Sequence, residues 1–373
     1  MSQERVIVAM SGGVDSSVAA ARLIDAGYDV VGVTLHLWDY PDDREPGRCC
    51  APEDQYDARR VADQLGIPHF TFDRRELFDA QVVQPFVDAY LEGKTPSPCV
   101  SCNRSVKLRE LIPLADRLGA SLVSTGHYAR VARLSGEGGR AVLLRGRDRV
   151  KDQSYFLHML SEPELRRLVL PLGDATKAEV RAEAIARNLP GAQKGESQEL
   201  CFVTSGRYDA FVAERAPTRV RPGPILDEAG LVVGQHDGVH RFTVGQRKGI
   251  GVALGRPMFV VAVDAERAAV QLGSEQALLA TIAELGEDAV FSDDVELPFE
   301  AIVQVRARHA GAPATISRET RPDGRAVLLA RFREPVRAVS PGQVAVAYDG
   351  ERVLGGATIV RATANVPSAE ALS

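Results

Sequence analysis

The sequence predicts an α/β protein in which an N-terminal doubly wound parallel sheet is followed by two small β-rich domains. Three observations carry that expectation. Up to about residue 200, short apolar runs alternate with longer periodic segments, the rhythm of parallel strands covered on both faces by helices. Beyond about Phe202 the texture changes to short β-branched runs separated by Gly, Pro and Asp, such as Met258-Phe259-Val260-Val261-Ala262-Val263 and Ala301-Ile302-Val303-Gln304-Val305. The length, 373 residues, exceeds what one hydrophobic core organises. Boundaries near 207 and 285 give domains 1–206, 207–284 and 285–373.

Arg5 to Met10 reads as a buried first strand, Ser11 to Gly13 as a turn, and Asp15 to Ala26 as a helix that Gly27 ends. Tyr28 to Leu35 gives the second strand. Glu53 to Leu65 is a helix stopped by Gly66, Ile67 to Phe72 a strand, and Glu76 to Leu91 a helix stopped by Gly93. Lys94 to Cys99 cannot be regular, because Pro96 and Pro98 remove donors and restrict the residues before them. Asn103 to Leu118 returns to a helical pattern and Leu122 to Thr125 to a strand. Leu278 to Pro298, apolar and then acidic, reads as the join between the two β-rich modules.

With 45 Lys plus Arg against 50 Asp plus Glu, the net charge of -5 argues against indiscriminate nucleic-acid binding and leaves room for a local basic face. The stretch 301–340 is such a face by count, holding eight Arg against three acidic residues. No run approaches the length of a membrane span, and the start MSQERVIVAMSGG lacks the regions of a secretory signal, so the expected setting is the cytoplasm with no membrane partner. Five cysteines are too few to staple a chain of this size, and in a reducing compartment close pairs point to metal binding or catalysis.

Ser11-Gly12-Gly13-Val14-Asp15-Ser16-Ser17 follows a buried strand and opens a helix. Small residues there let backbone amides approach an anion that the helix N-terminus attracts. Without the Walker lysine, this Ser-Gly-Gly-Xaa-Asp-Ser form resembles the loop of the ATP pyrophosphatases (the PP-loop, adenine nucleotide alpha-hydrolase-like type), which cleave ATP to AMP and pyrophosphate while adenylating a substrate oxygen. The resemblance implies ATP and Mg²⁺ as ligands, with Asp15 assisting the metal. It places Ala9, Met10, Ser11, Gly12, Gly13, Val14, Asp15 and Ser16 around the phosphates and Leu35 beside adenine. Gly126, where Thr125-Gly126-His127-Tyr128 ends a later strand, joins that set, while His127 alone reads as a structural hydrogen-bonder.

Cys99 and Cys102 form Cys-Xaa-Xaa-Cys at the start of a basic helix, where the dipole together with Arg104 and Lys107 would lower a thiol pKa. Cys201 follows the polar run Lys194 to Glu199, a loop setting suited to a carrier of sulfur. Cys49 and Cys50, being adjacent, read as bystanders. A Cys-Xaa-Xaa-Cys is also a zinc half-site, but no second ligand pair completes it.

Thr95-Pro96-Ser97-Pro98-Cys99-Val100-Ser101-Cys102-Asn103, Thr125-Gly126-His127-Tyr128, Lys151-Asp152-Gln153-Ser154-Tyr155-Phe156-Leu157 and Gly245-Gln246-Arg247-Lys248-Gly249 together resemble the bacterial tRNA-specific 2-thiouridylases, in a Cys-Xaa-Xaa-Cys variant, over nearly the whole chain. That resemblance implies a tRNA-uridine 2-sulfurtransferase. Such an enzyme adenylates oxygen 2 of the wobble uridine and replaces it with sulfur supplied by a donor protein, either a cysteine desulfurase or a relay. It implies Cys102 as the nucleophile and Cys201 as the persulfide carrier. Ser97, Pro98 and Cys99 would meet the target base, and Lys151, Asp152, Gln153, Arg308 and His309 the tRNA. One departure stands out: members of the family carry Asn-Pro-Asp where this chain has Ser97-Pro98-Cys99, so the acid/base aspartate is absent. Two routes for sulfur stay open, a persulfide on Cys201 or a [4Fe-4S] cluster ligated by Cys99, Cys102 and Cys201. Two other functions share parts of the pattern: another adenylating synthetase or ligase, and a noncatalytic RNA-binding sulfur relay.

Overall fold

In the computed structural model, which describes residues 3–39, 52–134, 139–193, 200–203, 206–253 and 255–363, strand β1 (Arg5–Ala9) runs through the middle of a five-stranded parallel sheet. Val6, Ile7 and Val8 are fully buried, as a strand covered on both faces requires. On one side lie β2 (Asp29–His36) and then β3 (His69–Asp73), and on the other β4 (Leu122–Ser124) and the strand Leu168–Val169. The order of strands therefore reverses at β1, which opens a crevice at the carboxyl ends of β1 and β4. Helix α1 (Val14–Asp25) packs Val18, Ala19 and Leu23 into the same core as Val180 and Ala184 of the helix Lys177–Ala186.

Two helices differ from their sequence expectation. The segment expected to be one helix from Glu76 to Leu91 is Arg75–Phe78, a π-helical turn Asp79–Val83, and Gln84–Leu91. Pro85, which has no donor for the preceding ladder, makes the widened turn intelligible. Conversely, the stretch thought irregular through Cys99 is already helical from Pro98: Pro98–Cys102 leads through a second π-turn, Asn103–Lys107, into Leu108–Arg117. Proline suits a first helical position, where its missing N–H has no partner to lose.

The chain divides into two compact units. The first holds Met1–Gln84, Pro98–Arg207 and Glu351–Val353. The second holds Pro85–Ser97, Tyr208–Gly350 and Leu354–Ser373, so both β-rich modules fall within it. One module is a four-stranded sheet in the order Phe259–Asp264, Ala269–Gly273, Gly223–Leu226, Val232–His236, built on Ile225, Val260, Val270 and Leu272. The other orders Leu279–Leu285, Ala326–Arg337, Ala312–Thr320, Phe299–Gln304, Val344–Asp349 and Arg352–Thr363, whose last residues pair back onto the first strand through Ile282 and Thr363. That closure makes a six-stranded barrel without open edges. Leu279–Leu285 belongs to this barrel, although the sequence boundary near 285 set it with the preceding module. Within the second unit the proline-stiffened segment is pinned to a barrel turn: the Thr95 amide donates to Pro341 at 2.8 Å and the Gln343 side chain to the Thr95 carbonyl at 2.9 Å.

Candidate active site

The loop leaving β1 is shaped by two glycines. Gly12 has φ +72°, and a Cβ there would stand 2.1 Å from the Asp54 carbonyl, so both conformation and space demand glycine. Gly13 caps α1 without any side-chain hydrogen bond, which leaves the helix's first amides pointing outward as an anion site. Ser16 and Ser17 turn their hydroxyls back onto the Gly13 carbonyl at 3.1 and 2.9 Å, fixing the loop from beneath. Met10 is held from both sides, its amide donating to Val33 at 2.8 Å and its carbonyl accepting from Thr34 at 2.7 Å. Because Ala9 pairs with Val33, the buried Leu35 lies two residues beyond, at the carboxyl edge beside the loop. On the other side Val8 pairs with Ser124, which brings Thr125 and Gly126 to the same edge. A Cβ on Gly126 would approach the Ser16 amide to 2.8 Å, so the glycine there admits the first turn of α1 itself.

Asp15, in that first turn, gathers two partners far away in sequence. Lys177 Nζ lies 2.6 Å from its Oδ1, and the Tyr128 hydroxyl donates to the same oxygen at 2.7 Å. Lys177 also sits 5.9 Å from the Tyr128 ring centroid, a cation–π approach. Sequence reading missed Lys177. The available signal was an exception to a rule: Thr176 and Glu179 form a capping box, and the first helical residue between them, at the positive end of the helix, is a lysine where an acid would suit the dipole. His127 bonds to the Thr125 hydroxyl at 2.7 Å. Burial, helped by Lys107, pushes its imidazole down to about 3, so it is neutral at pH 7. That is the structural role expected of it.

The three cysteines outside the Cys49-Cys50 pair lie in the first unit; that pair and the run 194–199 fall outside the described residues. Cys99 is exposed and Cys102, one helical turn on, is buried. Their helix packs on the π-turn Asp79–Val83, while Cys201, in a turn, is followed by Phe202, whose ring sits edge-on to Phe78 at 5.7 Å and to Trp38 at 6.2 Å. Both thiol-bearing segments are thus anchored on one stretch, 78–83. Among the described residues no three His, Cys, Asp or Glu side chains form a group that could hold a metal ion.

The implied tRNA contacts divide by geometry. Asp152 is turned inward: Oδ1 accepts the amides of Gly146 and Ser154 at 3.0 Å each, and Oδ2 accepts from Arg145 at 3.1 Å. Gln153 is likewise engaged, its Oε1 accepting the Tyr128 amide at 2.9 Å. Neighbouring Val150 is 90% exposed. In the second unit Arg308 is exposed, whereas the His309 ring accepts the Gly311 amide at 3.2 Å and is held low in pKa by burial and Arg306. Of the eight Arg in 301–340, five meet carboxylates: Arg321 and Arg325 meet Glu284, Arg331 meets Glu319, Arg333 meets Glu300 and Arg337 meets Glu275. The basic surplus counted over that stretch is therefore largely neutralised by acids, most of them outside it.

Three family models match the chain. Residues 4–205 match a "tRNA methyl transferase HUP domain", 209–274 a "tRNA methyl transferase PRC-barrel domain" and 287–359 an "Aminomethyltransferase beta-barrel domain". A Sorangium cellulosum protein named tRNA-specific 2-thiouridylase MnmA is 69% identical over 357 residues, covering 95% of this chain and 92% of the relative. Proteins of the same name from Moorella thermoacetica and Geobacter metallireducens are 48% and 45% identical, covering 95% and 96% of this chain and 98% and 97% of theirs.

Proposed function

The chain belongs to the tRNA-specific 2-thiouridylase family, and from that premise we propose how its residues divide the work of ATP-dependent thiolation of uridine in tRNA. The activity is that of a tRNA sulfurtransferase of the PP-loop type. The observation that carries the residue assignment is the convergence of Lys177 and Tyr128 on Asp15, at the mouth of an uncapped helix, in the crevice where the strand order reverses. Seven loop residues could be shared with any strand-to-helix turn. A carboxylate held by a lysine above open amides is the arrangement that phosphate chemistry uses.

In this reading the outward amides of α1 and Gly12 and Gly13 cradle the phosphates of ATP, and Leu35 lies beside adenine. Asp15 would hold Mg²⁺ through its oxygen that bonds neither Lys177 nor Tyr128, a hard ligand for a hard cation. The ion would offset phosphate charge. Uridine oxygen 2 attacks the α-phosphorus and displaces pyrophosphate, leaving the base adenylated. The terminal sulfur of a Cys201 persulfide then attacks C2. Cys102 thiolate attacks the inner sulfur, forming a Cys102–Cys201 disulfide as the S–S bond to the new sulfur breaks. The thiolate left on C2 collapses to C=S and expels AMP, and an external thiol reductant resets the pair. Burial of Cys102 protects its thiol until then, and the Phe202 anchor beside Cys201 holds the carrier segment.

The proposal takes the persulfide route on Cys201 and Cys102, with the iron–sulfur route as the alternative that the iron content of the protein decides, and no step runs through a cluster. The wobble position as target, a desulfurase or relay as sulfur donor, and the cytoplasm as setting belong to the same proposal. Arg308, which is exposed, and Lys151, next to the exposed Val150, are its RNA contacts; Asp152 and Gln153 serve by shaping the loop. The test is pyrophosphate release and 2-thiouridine formation, measured together, with and without unmodified tRNA and a sulfur source. Turnover that requires all three supports it. Pyrophosphate release indifferent to tRNA would point to another adenylating enzyme.

A further inference from the structure

We infer that Asp148 is a positioning residue that couples RNA seated on the loop 148–153 to the state of the ATP site. This rests on the reading that Asp15 serves ATP and that Lys151 meets tRNA. Two chains of direct hydrogen bonds join that loop to Asp15. In the first, Asp148 Oδ1 accepts the amides of Val150 and Lys151 at 3.1 and 3.3 Å, and Oδ2 accepts the Lys177 amide at 3.0 Å. Lys177 Nζ then reaches Asp15 Oδ1 at 2.6 Å. In the second, the Gln153 amide donates to the Tyr128 carbonyl at 2.9 Å and the Tyr128 amide to Gln153 Oε1 at 2.9 Å, while the Tyr128 hydroxyl donates to Asp15 Oδ1 at 2.7 Å. Both chains end on the same oxygen.

The outer side of the loop is presented to solvent, with Val150 90% exposed and Arg149 exposed beside it. Its inner side is fully committed. Asp152 ties Gly146, Ser154 and Arg145 together and Arg149 is held by Glu351 at 2.6 Å, while residues 150 and 151 are joined through Asp148 to the Lys177 amide, the path by which a displacement there would be passed on. Lys177 bonds the Asp15 carboxylate, and on the ATP assignment the phosphates would offer its ammonium a second anion. Those two placements of one cation are the discrete states on which both ligands act. RNA that moves the loop shifts Lys177 between them, and by linkage ATP shifts the affinity for RNA equally.

The experiment is calorimetric titration of the full chain with an ATP analogue that resists cleavage between the α- and β-phosphates, alone and with saturating unmodified tRNA. In the wild type, tRNA should change the analogue's Kd by about 5-fold or more, the usual floor for coupled sites. Asp148→Asn puts an amide where a carboxylate oxygen now accepts. It should bring that factor below about 2-fold with the thermal midpoint retained, whatever the Kd for each ligand alone. Tyr128→Phe, which deletes only the hydroxyl on Asp15, should reduce the factor without abolishing it. A factor unchanged in both variants overturns the inference, as does a wild type that binds both ligands with a factor of one; either result leaves the ATP and tRNA assignments standing. A wild type that does not bind the analogue overturns the ATP assignment and this inference with it.

Discussion

The phosphate loop and the arginine-rich strands of the barrel are both crowded with polar groups, yet they use them in opposite ways. Around Asp15 a few groups from distant segments, Tyr128 and Lys177, converge on one oxygen and leave the neighbouring helix amides open. Along the barrel, arginines are matched to carboxylates, singly where Arg331 meets Glu319 at 2.6 Å and Arg333 meets Glu300 at 2.8 Å, and together where Arg321 and Arg325 share the buried Glu284. The first arrangement concentrates field at a point where a ligand can answer it. The second cancels field across a surface, at a gain of about 0–1 kcal/mol for each exposed pair. A count of charges along the sequence cannot tell these apart, because the partners that decide the matter are 12 to 162 residues away.

The comparison sharpens most at the thiols. Cys102→Ser and Cys201→Ser should each abolish 2-thiouridine, read by mass spectrometry of digested tRNA, while a first turnover of pyrophosphate persists, since adenylation precedes sulfur transfer. Cys99→Ser should retain thiolation and no protein should contain iron; loss of iron and activity together in all three variants would establish the cluster instead. Asp15→Ala comes next. Removing a group aimed at developing charge costs about 10²–10³-fold in rate, so pyrophosphate release should fall by that much with tRNA affinity kept.

Smaller effects separate the two kinds of arginine. Arg308→Glu should weaken tRNA binding and lower the log–log salt slope by about one, as loss of a phosphate contact does. Arg331→Ala, at a residue already paired, should leave that slope unchanged and alter stability by no more than about 1 kcal/mol. A separate effect concerns pH. Folded His127 takes a proton at about 3, and the unfolded side chain near its ordinary value of 6.5. Between those values the unfolded state binds more protons, so stability rises with pH across that window and is complete above it. His127→Gln should flatten the acid limb of a stability curve below pH 6.5.

The sheet and the phosphate loop were legible because their determinants are local: the apolar run of β1, the glycines at 12 and 13, and the helix that follows. Leu35 and Gly126 came from resemblance, and pairing of β1 with β2 and β4 brings them to the same edge. What sequence reading missed depends on distance. Lys177 acquires meaning only when its helix is packed beside α1, and Leu279–Leu285 is a barrel strand because Thr363 returns to it. The helix at Pro98 departs from expectation for a local reason: proline, a breaker in a helix interior, here occupies the first helical position.

The central claim, that ATP chemistry at Asp15 drives transfer of a sulfur held on Cys201, is tested most directly in a single turnover. Protein loaded with one extra sulfur atom on Cys201, confirmed by mass spectrometry of its peptides, is mixed with ATP and unmodified tRNA and with no further sulfur source. The expected result is one 2-thiouridine and one pyrophosphate per loaded protein, with Cys201 recovered in a disulfide to Cys102. Pyrophosphate released while the sulfur stays on Cys201, or 2-thiouridine formed without ATP, would contradict the claim.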